Sequence, residues 1–161
     1  MRIFDASIPN IIANHPDVIR HLLWNPEDHS ETDGFMLLDG VIALTDQYFF
    51  LISPNGELCL IFEEKAPYIF EVHTMSLPTF RGDEMRKAAK ALFHEMFTEH
   101  GAQMIWGRTP IDNGPARKFN RLIGAEHIRF REHFAAGPCE EFGNTRAKWL
   151  RDHWDTDQAN D

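Results

Sequence analysis

Hydrophobic and polar residues in the first half of the chain follow a pattern typical of β-strands. Runs rich in β-branched and aromatic residues between Phe35 and Met75 are separated by turn signals, of which Asp39-Gly40 is the strongest. Residues 58–62 form one such strand, and the charged residues 63–67 predict a loop after it. We therefore expect an antiparallel meander of three or four strands.

The last strand of this meander, residues 68–75, alternates between two faces. Since successive side chains of a strand point to opposite sides of the sheet, Glu71, His73 and Met75 lie on one face. Two titratable groups are thereby placed side by side.

Directly after Arg81-Gly82 the apolar residues change to a spacing of three and four, which predicts a long amphipathic helix. The apolar stripe consists of Met85, Ala88, Ala89, Leu92, Phe93, Met96 and Phe97. Asp83 and Glu84 occupy the first turn, where the helix dipole favours negative charge. Gly101 follows the last turn and can adopt the left-handed conformation that ends a helix.

Shorter elements follow this helix. Residues 103–108 predict a compact strand, and Pro115 and Gly124 bound a second helix. The side chains expected on its buried face are Ala116, Phe119, Leu122 and Ile123. Residues 128–131 alternate and are expected to form the final strand.

The order of elements places the chain in the α/β class. A short strand at residues 2–5 and short helices around residues 11–13 and 17–24 precede the meander. The long helix between two strands implies a parallel pair with a right-handed crossover. One domain is expected over residues 1–150, followed at residues 151–161 by an acidic, flexible tail with four aspartates.

Composition excludes several classes of function. The net charge of −9 disfavours nucleic-acid binding, which needs a surplus of Lys and Arg on one face. No apolar run approaches the roughly 20 residues that span a bilayer, so no membrane partner is expected. With no secretory signal and no paired cysteine spacing, a cytoplasmic protein is expected. The nine histidines show no ligand spacing, so we expect no metal site.

Two junctions between strands and helices carry motifs. Residues 72–82 run from a strand through Pro78 into Arg81-Gly82 and the long helix. Residues 113–125 are similar to the pattern Asn-x-x-Ala-x-x-Phe-Tyr-x-x-x-Gly-Phe. Together they resemble the pyrophosphate loop after the fourth strand, and the segment after the fifth strand, of the GNAT superfamily of acyl-CoA-dependent N-acyltransferases. The resemblance implies a GNAT-like mixed, largely antiparallel sheet flanked by helices, with a parallel pair at the cofactor cleft.

The resemblance also implies that acetyl-CoA binds as co-substrate at these junctions. A helix N-terminus presents free backbone N–H groups, and a glycine lets the backbone approach a pyrophosphate. The residues implied to bind it are Met75, Arg81, Gly82, Arg86, Lys87, Asn113 and Ala116. By residue type alone, Gly82 also fits a simple turn and Asn113 fits a helix N-cap.

Three of the positions that depart from the family's pattern bear on its chemistry. Thr79 and Glu84 stand where the pyrophosphate loop usually has a long polar residue and a second small residue. Glu84 puts a carboxylate where the pyrophosphate would bind, and two negative charges a few ångströms apart repel by about 1–4 kcal/mol. A Glu84 side chain that points to Lys87 or Arg86, which the first helical turn permits, avoids this cost. Asn120 stands where the family often has the tyrosine that protonates the departing thiolate.

Glu71 and His73 are the candidate catalytic residues. Family members often deprotonate the amine with a glutamate or an ordered water near the fourth strand. Histidine is the side chain that most often acts as a general base, so His73 is a candidate acceptor of the ammonium proton. The alternative is that both side chains serve only as hydrogen-bond partners within the sheet.

Two functions remain open. The first is an acetyl-CoA-dependent N-acetyltransferase that acts by direct transfer on a small amine or a lysine-bearing acceptor, for which an acidic surface is suited. The second is a catalytically silent GNAT-fold structural or accessory protein of a tailed bacteriophage, found in the virion. The helix led by Arg-Gly without a second glycine also looks like such phage proteins. That protein would act by protein–protein contact, with Trp149 and Trp154 as candidate anchors. For Trp149, packing in the core is the favoured alternative.

Overall fold

A computed structural model describes residues 2–3, 7–19, 47–133 and 137–158. The strands are β1 (Arg2–Ile3), β2 (Tyr48–Ile52), β3 (Leu58–Ala66), β4 (Ile69–Ser76), β5 (Met104–Pro110), β6 (Glu126–His133) and β7 (Gly137–Thr145). The helices are α1 (Ser7–Ala13), α2 (Pro16–Ile19), α3 (Gly82–Thr98), α4 (Gly114–Leu122) and α5 (Arg146–Gln158). The predictions for residues 20–46, including the Asp39-Gly40 hairpin, lie outside the described residues, as does the side chain of Trp154.

The described strands form one seven-stranded mixed sheet in the order β1-β2-β3-β4-β5-β7-β6. Every neighbouring pair is antiparallel except β4 and β5, which run parallel and are joined through α3. The predicted α/β class, the antiparallel meander over β2 to β4 and the parallel pair are therefore confirmed.

Helix α3 supplies a large part of the core, as its apolar stripe predicts. Its buried residues are Ala89, Leu92, Phe93, Met96 and Phe97. They belong to one cluster with Leu60, Phe62 and Phe70 of the sheet. At roughly 1.5–3 kcal/mol for each large apolar side chain removed from water, this face is a main source of stability. On the opposite face, Ile61 and Met75 pack against Ile12 and Val18 of α1 and α2.

Three predictions about single elements are wrong. Residues 63–66 are part of β3 and not a loop, because Glu63 lies opposite Glu71 on β4 and Lys65 pairs with both carboxylates. The strand at residues 128–131, observed as β6, is not the last, since β7 follows it and inserts between β5 and β6. Leu122 is 46% exposed and does not belong to the buried face of α4.

Helix α5 crosses the predicted domain boundary at residue 150 and continues to Gln158. Trp149 is buried and stacks on Phe93 and Phe97, with ring centroids 5.8 and 5.4 Å apart. Trp149 is therefore a core residue and not a surface anchor. The flexibility of residues 151–161 stays a prediction. No helix in the described ranges is long and apolar enough to cross a membrane.

Candidate functional site

Strands β4 and β5 pair only at the start of each strand and then diverge. Residues 69–71 lie opposite residues 104–106 in parallel register. The remaining residues, 72–76 of β4 and 107–110 of β5, are not paired with each other. We call this opening the fork. A gap between two strands exposes backbone N–H and C=O groups that a ligand can use.

Gly107 lies directly beyond the last residue pair, at the base of the fork. A Cβ atom at this position would lie 3.2 Å from the carbonyl oxygen of Val72 and 3.3 Å from its Cγ1. Contacts this short require a neighbour to move, so the close approach of the two strands depends on glycine here.

A cavity of about 840 Å³ passes through the fork. It starts at Arg81-Gly82, reaches Asp17 and Val18 on one face of the sheet, and reaches Phe142 and Asn144 on the other. Its volume lies in the range of roughly 300–1,000 Å³ that is usual for small-molecule sites. The fork and this cavity form the candidate functional site.

The N-terminus of α3 opens onto this cavity. Gly82 has φ +71°, in the left-handed region that favours glycine. The Arg81 guanidinium turns back to the preceding loop, where it donates to the Ser76 hydroxyl and, at 2.8 and 2.9 Å, to the carbonyl oxygens of Leu77 and Phe80. Arg81 therefore holds the loop and does not cap the helix with its side chain.

The two acidic residues in the first turn of α3 are each paired with a basic residue three positions later. Asp83 lies 2.9 Å from Arg86, and Glu84 lies 3.1 Å from Lys87. Of the two partners that the sequence allows for Glu84, the structure shows Lys87. The pairs offset the negative charge at a helix end that otherwise favours anions.

Helix α4 forms the opposite wall of the cavity. The side-chain oxygen of Asn113 accepts a hydrogen bond of 3.2 Å from the backbone N–H of Ala116, so Asn113 is the N-cap. The side-chain N–H of Asn120 donates to the Thr109 hydroxyl at 2.8 Å. Asn120, at the position where the family often has tyrosine, is thus bound to β5.

Glu71 is buried at the base of the fork and binds a cation on each side. Its Oε1 accepts hydrogen bonds from Arg108 Nε at 2.8 Å and Nη2 at 2.6 Å. Lys65 Nζ lies 3.4 Å from its Oε2. These contacts agree with the alternative that Glu71 serves as a hydrogen-bond partner within the sheet. Its partners are Arg108 and Lys65, and not His73.

His73 lies beside this ion pair and is partly exposed. Its Nε2 is 3.6 Å from Glu63 Oε2, across the β3–β4 register. The His73 imidazole, and after it Lys65, lower the pKa of Glu63 to about 2 against the opposing effect of partial burial. His73 therefore faces a carboxylate that stays ionised, and it is the titratable group of the pair that lies nearer to solvent.

Glu63, Glu71 and His73 also form a potential metal-ligand set, since one ligand atom from each lies within 4.8 Å of the others. The carboxylates already bind Lys65 and Arg108. A metal ion here would have to displace or repel two cations, so the chemistry of the cluster fits an ion-pair network better. The expectation of no metal site stays a prediction.

The cavity brings together most of the residues that the sequence nominates. Those lining it are Glu71, His73, Arg81, Gly82, Arg86, Asn113 and Ala116. Two nominated residues lie elsewhere: the side chain of Met75 is buried with Cys59 and Ile12, and Lys87 points to solvent beside Glu84. The roles of all nine stay predictions.

Several residues that line the cavity are not nominated by the sequence, and three of them are polar or aromatic residues at or near the base of the fork. Trp106 and Arg108 are on β5, and Asn144 is on β7. The alternation of β5 could have indicated Arg108, because it places a cation at the same end of the sheet as Glu71. No apolar pattern indicates β7, so nothing pointed to Asn144.

The sequence matches no protein-family model and no curated protein. The solved structures that superpose over nearly the whole chain include three acetyltransferases. A spermidine N-acetyltransferase SpeG mutant from Vibrio cholerae has TM-score 0.68 and 11% identity, covering 94% of this chain and 97% of its own. Ribosomal-protein-S5-alanine acetyltransferase from Vibrio fischeri has TM-score 0.66 and 14% identity, covering 92% and 93%.

The third structure is the acetyltransferase AAC(6')-Ib in complex with paromomycin and acetyl-CoA, with TM-score 0.67 and 16% identity, covering 91% of each chain. At these identities the likeness concerns architecture. The strand order, the parallel pair at the fork and the flanking helices are those of such enzymes, and the chain therefore has the GNAT fold.

Proposed function

We propose that this protein is an acetyl-CoA-dependent N-acyltransferase that transfers an acyl group directly to an amine. The observation that carries the proposal is the fork between β4 and β5, with a cavity that leads from the N-terminus of α3 to Glu71 and His73. A long, narrow co-substrate can enter such an opening with its anionic end outside and its reactive end at the base.

The residues at the start of α3 fit the pyrophosphate of CoA. Gly82 leaves space, since nothing lies within 4 Å of the position of a Cβ atom there. The uncapped first turn offers backbone N–H groups, and the pairs formed by Arg86 and Lys87 reduce repulsion from Asp83 and Glu84. The Val72 carbonyl, which faces Gly107, lies where the pantetheine arm would pass.

The reaction requires little covalent chemistry from the protein. The amine nitrogen forms a bond to the thioester carbon, the carbon–sulfur bond breaks, and the thiolate leaves. Positioning of the two reactants in the fork supplies much of the rate. Asn120 carries no transferable proton, so we propose that the thiolate takes its proton from solvent.

His73 is the proposed acceptor of the proton that the amine must lose. It lines the cavity, it is partly exposed, and its partner Glu63 stabilises the imidazolium that forms. Glu71, the second residue nominated, is proposed to act as a positioning residue. Arg108 and Lys65 already offset its charge, so its part is to hold these two cations at the base of the fork rather than to accept a proton.

The proposed acceptor is a cationic amine, either a small molecule or a lysine-bearing protein. The net charge of −9 attracts such molecules. Spermidine and an aminoglycoside are acceptors or ligands of two of the structural neighbours. An acyl-transfer assay with a panel of amines tests the proposal. Its two readouts are the release of free CoA thiol and the mass of the acylated product.

A matched pair of variants sharpens that assay. His73→Gln should lower turnover at least about a hundredfold, the lower end of what general base catalysis contributes. His127→Gln is the control, because His127 also pairs with a glutamate, Glu140, but lies outside the cavity lining. Equal turnover of the two variants would remove His73 from the mechanism.

The second candidate is the silent GNAT-fold phage protein, which would act by protein contact in a virion. The observation in its favour is that Asn120 replaces the usual acid and is tied to Thr109. It predicts folding without turnover and without acetyl-CoA binding. Since Trp149 is in the core, its contact surface would lie elsewhere.

A further inference from the structure

Asn144 is a polar side chain in an apolar setting. It is 2% exposed, and neither its Nδ2 nor its Oδ1 has a hydrogen-bond partner in the part of the chain that the structure describes. Burying an amide without partners is costly, and most buried side-chain amides in proteins are bonded. A group of this kind points to a ligand that satisfies it.

Asn144 is one of the residues that line the cavity. The apolar residues Phe93, Ile123 and Phe142 line it as well. Thr109 and Asn120 are further lining residues but bond to each other, so of these three polar side chains the Asn144 amide is the one without a partner among the described residues. Sites that orient a ligand commonly combine an apolar wall with a small number of polar groups.

The position of Asn144 along the cavity identifies the part of the ligand that it would meet. The cavity opens at Gly82, and the strands close at the pair Glu71–Trp106. Asn144 is paired with Ile105, one residue further into the closed part of the sheet. A thioester at the base of the fork would place its acyl chain, and not its pantetheine arm, toward Asn144.

We infer that Asn144 selects the acyl group, and that the preferred donor is an acyl-CoA whose chain carries a hydroxyl. The inference rests on the proposed function. A hydroxyl can donate to Oδ1 and accept from Nδ2, which satisfies both amide atoms at once. An unsubstituted chain of equal length packs against the apolar lining but leaves the amide without partners, and that loss weakens its binding.

Calorimetric titration with two acyl-CoA molecules tests this inference without knowledge of the acceptor amine. The protein should bind one enantiomer of 3-hydroxybutyryl-CoA at least about tenfold more tightly than butyryl-CoA, the equivalent of one good hydrogen bond. Equal affinity for the two in the wild-type protein overturns the inference, whatever any variant does.

Asn144→Leu provides the matched variant, since leucine is close in size and has no polar atom. It should lose the preference and bind butyryl-CoA at least as well as the wild type does. Its melting temperature should equal or exceed that of the wild type, because an unsatisfied amide has been removed. A preference that persists in Asn144→Leu contradicts the inference. Failure of CoA itself to bind contradicts the proposed function instead, so the two outcomes are distinguishable.

Discussion

Arg108 on β5 holds the buried carboxylate of Glu71 on β4 by two hydrogen bonds to one oxygen, at 2.8 and 2.6 Å. Glu71 is in the last residue pair before the strands separate, and Arg108 is already on the diverging part of β5. The ion pair therefore joins the two strands at the base of the fork, where the proposed chemistry takes place.

Removing one partner of this ion pair should destabilise the protein strongly. Glu71→Leu leaves Arg108 without its main partner, and breaking a buried pair costs about 3–5 kcal/mol. The double variant Glu71→Leu/Arg108→Met should recover part of that loss, because both charges are gone. Urea unfolding of the four proteins measures the coupling.

The exposed pair Glu84–Lys87 is the control for this cycle, since it has the same chemistry at 3.1 Å but points to solvent. Its cycle should give less than about 1 kcal/mol. If the changes in unfolding free energy at Glu71 and Arg108 are additive, the two residues are not energetically coupled.

Gly82 should be required for CoA binding more than for folding. Its φ of +71° strains any other residue, and Gly56 has nearly the same φ, +73°, in a turn away from the cavity. Gly82→Ala and Gly56→Ala should each cost about 1–2 kcal/mol of unfolding free energy. Only Gly82→Ala should weaken acetyl-CoA binding. Similar affinity for both variants would show that the turn at Gly82 is merely structural.

Gly107 should set the width of the fork. A Val side chain would contact Val72 at about the 3.2 and 3.3 Å found for a Cβ atom alone, so Gly107→Val must push the strands apart or twist them. We expect a stability loss of about 1–3 kcal/mol and weaker acetyl-CoA binding. Gly114→Ala, which meets nothing within 4 Å, is the control and should be neutral. Unchanged binding by Gly107→Val would place the ligand elsewhere.

The pH dependence of the Glu63–His73 pair has a defined sign. The folded-state pKa of Glu63 is about 2, below its ordinary value of 4.5, chiefly because of His73. The stability from this pair is thus fully present above pH 4.5 and is lost as the pH falls toward 2. In His73→Asn the pKa of Glu63 should rise toward 4.5, which carboxyl-carbon NMR can follow. An unchanged pKa of Glu63 in this variant would show that His73 does not interact with Glu63.

The sequence predicts the parts of the fold in which apolar spacing decides the outcome. The stripe of α3 and the alternation of β4 are both observed, because burying those side chains dominates the local energy. Residues 63–66 and β7 were missed because charge pairing and not apolar burial keeps them in the sheet. Glu140 and Glu141 are each 2% exposed, and arginines from α4 and β6 compensate them.

The sequence predicts only those residues of the candidate site that a local sequence pattern marks. Gly82 and Asn113 stand at helix starts with recognisable local sequence, and Glu71 and His73 share a strand face. Arg108 and Asn144 enter the site through pairing between strands far apart in the chain, a relationship that spacing within one segment does not contain.

Calorimetric titration of the protein with acetyl-CoA tests the central claim most directly. The proposed site predicts one binding event in the micromolar range that survives Glu84→Gly and disappears in Gly82→Trp, whose side chain would fill the entrance to the cavity. Absence of binding by the folded wild-type protein at millimolar acetyl-CoA, or equal binding by Gly82→Trp, would contradict it.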